Sequence, residues 1–210
     1  MQIEALVFGQ AGFLEEDLKD DFQEKLRKEY TFLRLKYNLK PVDRYLWKFL
    51  RLRPQNFPTL RLAQFSALVV KSSHLFSKVL EIKNSKGIFA LFENLPVSSY
   101  WESHYRFGKD AEGVSVQLGN SSIDNILLNS VALSLFSYGK YTGSEDIRDR
   151  AVNLLETIPF ESNQITKRFV EIGVKKGNAD RSQALLHLKK SYCDLKKCLN
   201  CAVGTKIVNP

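Results

Sequence analysis

LEEDLKDDFQEKLRKEYTFLRLKYNL, residues 14–39, sets the kind of secondary structure to expect. Leu14, Leu18, Phe22, Leu26, Leu33 and Tyr37 recur at helical rather than alternating spacing and keep to one face. Acidic side chains from Glu15 to Asp21 crowd the start, while Arg27, Lys28, Arg34 and Lys36 crowd the end, the order a helix dipole favours. Asn38 and Pro41 stop the helix.

Downstream, Asp43 is placed to cap a short helix through Leu52, and RPQNFP (53–58) then breaks the chain twice. Pro58 suits the first turn of a helix reaching about Val70. Ser72 or Ser73 can cap another that holds His74, and KGIFALFENLP (86–96) forms one more, ended before Pro96. Trp101, Tyr105 and Phe107, then Val114, Val116 and Leu118, fall on alternate positions around GKDAEG (108–113), the pattern of a small β-hairpin at 100–118. Ser121 and Asp124 resemble a capping box ahead of Ile123–Phe136, which is apolar on nearly every side and belongs in the centre of a core. Ser144, Ser162 and Asp180 begin three later helices, ended by Pro159, Gly173 and the cysteine segment. With no repeat, low-complexity tract or long linker, the pattern implies a mainly α, compact multi-helix domain over 1–210, with a cysteine-containing terminal segment at 188–204.

The chain is long enough to bury a core, and 44% hydrophobic with 26% charged residues argues against disorder. An excess of 31 basic over 23 acidic residues, formally +8, favours acidic partners such as nucleic acid. No stretch is apolar enough to span a bilayer and no signal peptide is evident, so the expected location is the cytoplasm, which an odd, clustered set of cysteines also fits. MQIEALVFGQAG (1–12) begins inside an apolar helical pattern without a cap, as expected of a piece of something longer.

Charge concentrates between Lys36 and Arg61, where Asp43 is the one acidic residue. On a helix from 43 to 52, Arg44, Lys48 and Arg51 share a face by i, i+4, i+7 spacing. With Arg53 and Arg61 they can track a phosphate backbone while Trp47 stacks on a base; the alternative is a solvated helix face with Trp47 in the core. Lys189, Lys190, Lys196 and Lys197 form a second basic cluster.

All three cysteines lie in YCDLKKCLNCAVG (192–204). Cys193, Cys198 and Cys201 can offer thiolates to zinc, which wants four ligands, so a histidine or an aspartate must complete the set, with His74 or His104 favoured. His187 is nearest in sequence, but six helical steps rotate it about 240° from Cys193. The alternative is packing of small, weakly polar thiols against the core. A redox pair is disfavoured because CLNC follows a helix instead of opening one.

No phosphate-binding glycine loop, dinucleotide fingerprint or zinc-protease histidine pair is present. Glu102, His104 and Asp124 read as polar contacts rather than an acid–base set. No catalytic constellation is visible, and an enzymatic role for this chain ranks last.

QIEALVFGQAGFLEED (2–17), LWKFLRLRPQNFPTLRLAQF (46–65), SSHLFSKVLE (72–81), LGNSSIDNILLN (118–129) and QALLHLKKSYCDLKKCLNCAVG (183–204) together resemble the bacterial family called domain of unknown function 2851. The resemblance implies the carboxyl-terminal half of a longer protein, whose other half has a strand-rich, nuclease-like pattern. It implies a helical accessory module that positions nucleic acid, and it carries no catalytic residue across. The competing expectation is a structural or interaction module without catalysis. There the exposed apolar start, Ile3 to Phe8, docks on that missing half or on a second copy.

Overall fold

In the computed structural model the apolar start of the chain is helix α1 (Gln2–Gln10), and its side chains Ala5 and Phe8 are fully buried. Of the expected exposed face at Ile3 to Phe8, Ala5 and Phe8 are turned into the core, while Ile3, Leu6 and Val7 are half-buried. The structure describes residues 1–15 and 17–208, which are mainly α and divide into two units. One comprises Met1–Glu81 with Lys86–Gly119; the other runs from Asn120 onward with Ile82–Ser85. No helix among the described residues is long and apolar enough to cross a membrane.

In the first unit α1 packs on α2 (Asp21–Tyr37) and α3 (Pro58–Lys71). Phe8 stacks on Trp101 at 5.2 Å and meets the edge of Phe107. Burial of such side chains contributes roughly 1.5–3 kcal/mol each, and aromatic geometry adds to it. Close approach of α1 and α2 depends on Gly9, where a Cβ would lie 2.1 Å from the Tyr30 ring. Both oxygens of the buried Glu4 accept hydrogen bonds, from Trp101 Nε1 at 2.7 Å and Ser98 Oγ at 2.5 Å.

Helix α2 starts at Asp21, not Leu14. Asp20 adopts extended backbone and accepts from Gln23 N at 2.8 Å, so it caps the helix and leaves residues 17–19 outside it. Leu26, Tyr30 and Leu33 form the buried stripe, whereas Tyr37 is exposed. Asn38 ends the helix in the left-handed conformation, as expected. Beyond α3 come α4 (Leu75–Glu81), preceded by the exposed His74, and α5 (Ser85–Ala90).

The hairpin is smaller than the alternation implied. Strand β1 (His104–Arg106) pairs antiparallel with β2 (Lys109–Asp110), and Gly108 turns between them at φ +64°. Val114, Val116 and Leu118 form no strand. Their region is held by side chains instead: Gln64 Nε2 donates to Val116 O at 3.0 Å, and the Gln117 amide pairs with both Leu95 N and Leu95 O.

The second unit begins with α6 (Asn120–Ile126), a π-helical turn at Leu127–Val131, and α7 (Ala132–Thr142), which packs on α8 (Glu145–Thr157). Ile123, Leu127, Val131 and Leu135 are buried, but Leu133 is 60% exposed and Phe136 45%. The continuous apolar run thus buries one side only, not all of its circumference. Helices α9 (Gln164–Glu171) and α10 (Ala179–Leu188) follow, beginning after Asn163 and Asn178, each near the serine or aspartate expected to start it. The chain closes with a π-helical turn at Lys189–Cys193, a 3-10 turn at Cys198–Asn200 and α11 (Ala202–Val208).

Candidate nucleic-acid interface

Residues 39–57 cross the first unit as an irregular segment with 3-10 turns at Arg44–Leu46 and Pro54–Asn56. The helix expected from Asp43 to Leu52 is absent, and Asp43 makes no side-chain cap. The reason lies in the aromatic residues. Trp47 and Phe49 both pack on Phe13, with ring centroids at 5.9 and 6.2 Å. Residues two apart would face about 200° away from each other on a helix, whereas extended chain places them on one side. Two bonds anchor the segment to the end of α1: Val42 N donates to Gln10 O at 2.8 Å, and Trp47 Nε1 donates to Ala11 O at 2.7 Å. Gly12 permits this approach, since a Cβ there would stand 2.4 Å from Val42 O.

The helical face proposed for Arg44, Lys48 and Arg51 therefore does not exist, and the five basic residues divide by environment. Lys48, Arg51 and Arg53 are exposed and have no ion pair with any described residue. Arg51 holds a left-handed backbone at φ +64°. Arg44 lies half-buried over the rings of Phe13 at 4.0 Å and Phe49 at 5.1 Å. Arg61 is also half-buried and braces the second turn, donating to Asn56 Oδ1 at 2.6 Å and Gln64 Oε1 at 2.9 Å. Burial lowers its pKa from the usual arginine value.

Two residues at this surface escaped the sequence reading. Tyr45, 77% exposed, is the aromatic group presented to solvent, the position expected of Trp47. Arg106, from β1, lies over Phe49 at 4.5 Å and Phe57 at 4.4 Å. Its signal was its place between Tyr105 and Phe107, which alternation assigned to a strand without assigning it a role. Phe13, Asp17, Lys19, Arg44, Phe49 and Arg106 help line a cavity of about 140 Å³. Among its described lining residues three are cationic and one, Asp17, is acidic.

Asp20 holds this wall together. Its Oδ1 caps α2, while Oδ2 accepts from Tyr100 Oη at 2.5 Å and from Gly108 N at 2.6 Å, fixing the turn that carries Arg106. Partial burial opposes ionisation of Asp20, but these hydrogen bonds outweigh it and hold the carboxyl below its ordinary pKa. Burial, reinforced by donation to Asp20, raises the Tyr100 pKa well above the usual phenol value.

The expected metal ligands are placed as follows. Cys193 and Cys198 are exposed and Cys201 is buried, all in the second unit; His74 and His104 belong to the first. His104 has partners at both ring nitrogens, Tyr100 O at 2.8 Å and Asp110 Oδ1 at 3.0 Å, and stacks on Tyr100. Its carboxylate neighbour is thus Asp110 rather than Glu102. No group of three His, Cys, Asp or Glu among the described residues is arranged to hold a metal ion. In the second basic cluster Lys189 pairs with Asp194.

The first unit thus defines a mainly α protein with an arginine- and phenylalanine-lined cavity beside an exposed basic turn. The chain belongs to the family described as Protein of unknown function (DUF2851), which matches residues 1–164. No curated protein and no solved structure matches it.

Proposed function

We propose that the chain binds nucleic acid through the segment from Arg44 to Arg53. The observation that carries this reading is the exposure of Lys48, Arg51 and Arg53 without ion pairs to any described residue. Cations left in water at low local acid density are suited to replace the counterions of a phosphate backbone. Exposed Tyr45 supplies a ring for a base, and stacking contributes about 1–3 kcal/mol per base with little dependence on sequence. Arg44 and Arg61 support this surface: one is packed on phenylalanine rings, the other tethers the turn at Pro54–Asn56.

Binding of single-stranded and duplex DNA and RNA, titrated at several salt concentrations, tests the proposal. Affinity is to fall linearly with salt on a log–log plot, with a slope of about −0.7 per phosphate contacted for single strands. Affinity independent of salt, or no binding at low salt, would remove the reading.

A further inference from the structure

We infer that the cavity beside Phe49 receives a phosphate monoester, either the terminal phosphate of a nucleic-acid strand or that of a free mononucleotide. The strand-end form rests on the nucleic-acid reading above; the mononucleotide form does not.

The polar groups around the cavity differ in what they have left to give. Gln23 is spent on backbone, donating to Phe13 O at 2.8 Å and accepting from Lys19 N at 2.9 Å. The Thr59 hydroxyl donates to Tyr105 O. Arg106 is different: its Nε is buried and has no hydrogen-bond partner. A buried donor without a partner costs about 1–3 kcal/mol, and Arg106 carries that cost as a residue of the cavity wall.

The surroundings of the guanidinium matter here. Arg106 lies over the rings of Phe49 at 4.5 Å and Phe57 at 4.4 Å, neighbours that stabilise its charge without supplying a conventional hydrogen-bond acceptor. Arg44 lies over the same Phe49 ring and lines the same cavity, so two guanidinium groups contribute to its wall. Lys19 adds an ammonium to the lining, against Asp17 as the acidic member among the described residues. Like charges gathered around a partly desolvated space repel, and a dianion between them turns repulsion into attraction. A phosphate monoester carries up to two charges and three terminal oxygens, enough for two guanidinium groups and an ammonium. Pockets that enclose a whole drug-sized molecule run to about 300–1,000 Å³. At about 140 Å³ this cavity suits one small group, with the rest of the ligand outside.

Calorimetric titration of the whole chain tests the inference with short single-stranded DNA carrying a 5′-phosphate, a 3′-phosphate or hydroxyl at both ends. Inorganic phosphate and a nucleoside 5′-monophosphate form separate arms. Internal diesters are common to all strands, so a difference isolates the monoester. One phosphorylated end is to bind about tenfold or more tighter than the hydroxyl-ended strand, the gain expected of one or two charge-assisted bonds. Arg106→Gln is to abolish that preference while hydroxyl-ended DNA keeps its affinity. Joint replacement of Lys48, Arg51 and Arg53 by alanine is to weaken all strands equally and leave the preference intact. Binding of phosphate or mononucleotide that Arg106→Gln removes, with no strand bound in any arm, upholds the mononucleotide form while the nucleic-acid reading falls. Equal affinity for the three strands, together with no binding of phosphate or mononucleotide, overturns the inference. That comparison uses the unaltered protein, so it stands even if Arg106→Gln misfolds.

Discussion

Gly9 shows how little room one position leaves. Alanine there would favour the helix by up to about 1 kcal/mol, yet its Cβ would sit 2.1 Å from the Tyr30 ring, inside van der Waals contact. The steric effect wins, because Tyr30 is buried and its hydroxyl is held by Gln10 Nε2 at 2.7 Å. Gly9→Ala is expected to destabilise the chain by about 1–3 kcal/mol in urea denaturation; unchanged or increased stability would show that α1 and α2 can separate freely. A second residue-scale effect concerns Asp20 and Tyr100. The folded pKa of Asp20 is depressed, so its stabilisation is full above the ordinary carboxylate pKa and is lost as pH falls through the lowered value. The folded pKa of Tyr100 is raised, so its contribution is full below about pH 10 and is lost as pH climbs beyond that. Thermal midpoints measured across the pH range are to decline at both extremes. Asp20→Asn should flatten the acid limb and Tyr100→Phe the alkaline one. The sequence hid this pair: Asp20 stands in an acidic run where several side chains qualify as a cap, and its partner lies 80 positions away.

At the scale of elements, helix ends were more legible than helix starts. Asn38, Gly143 and Gly173 all take positive φ at or just past a helix end, the conformation that asparagine and glycine reach at least cost. Starts were displaced by a residue or more wherever two capping residues stood together, as at Ser162 and Asn163. There Asn163 wins, its Oδ1 accepting from both Ile165 N and Thr166 N at 3.0 Å while Thr166 Oγ1 accepts from Asn163 N at 2.9 Å. Asn163→Ala should cost about 1–2 kcal/mol, read from thermal or urea unfolding, whereas Ser162→Ala should be nearly neutral. The segment from Asp43 to Leu52 was misread for a different reason. Its charge spacing satisfied a helix, but Trp47 and Phe49 were both recruited by Phe13, and partial burial of two large rings outweighs the weak helical preference of so short a stretch.

For the whole molecule, mainly α structure was legible because apolar periodicity is a local property, whereas the cavity was not, because it is assembled from distant stretches. Lys19, Arg44 and Arg106 come from three separate parts of the chain, and Arg106 lies outside the basic run that drew attention to Arg44. Net charge pointed to an acidic partner without locating the contact surface. That gap defines a test at this scale. Replacing Lys48, Arg51 and Arg53 together by alanine should reduce the salt slope of single-strand binding by about 2. The melting temperature should be unchanged, since all three side chains are exposed. An unaltered slope would place the contact surface elsewhere on the protein.

Both tryptophans of the chain, Trp47 and Trp101, belong to the first unit, and each indole N–H is tied to a buried acceptor there. The second unit carries Tyr138, Tyr141 and Tyr192 as its phenolic chromophores. Indole emission excited at the red edge of the absorption band therefore follows unit one alone, while unit two stays dark. Trp47 also packs against Phe13 on the cavity wall, which makes its emission an intrinsic optical gauge of occupancy that needs no attached dye.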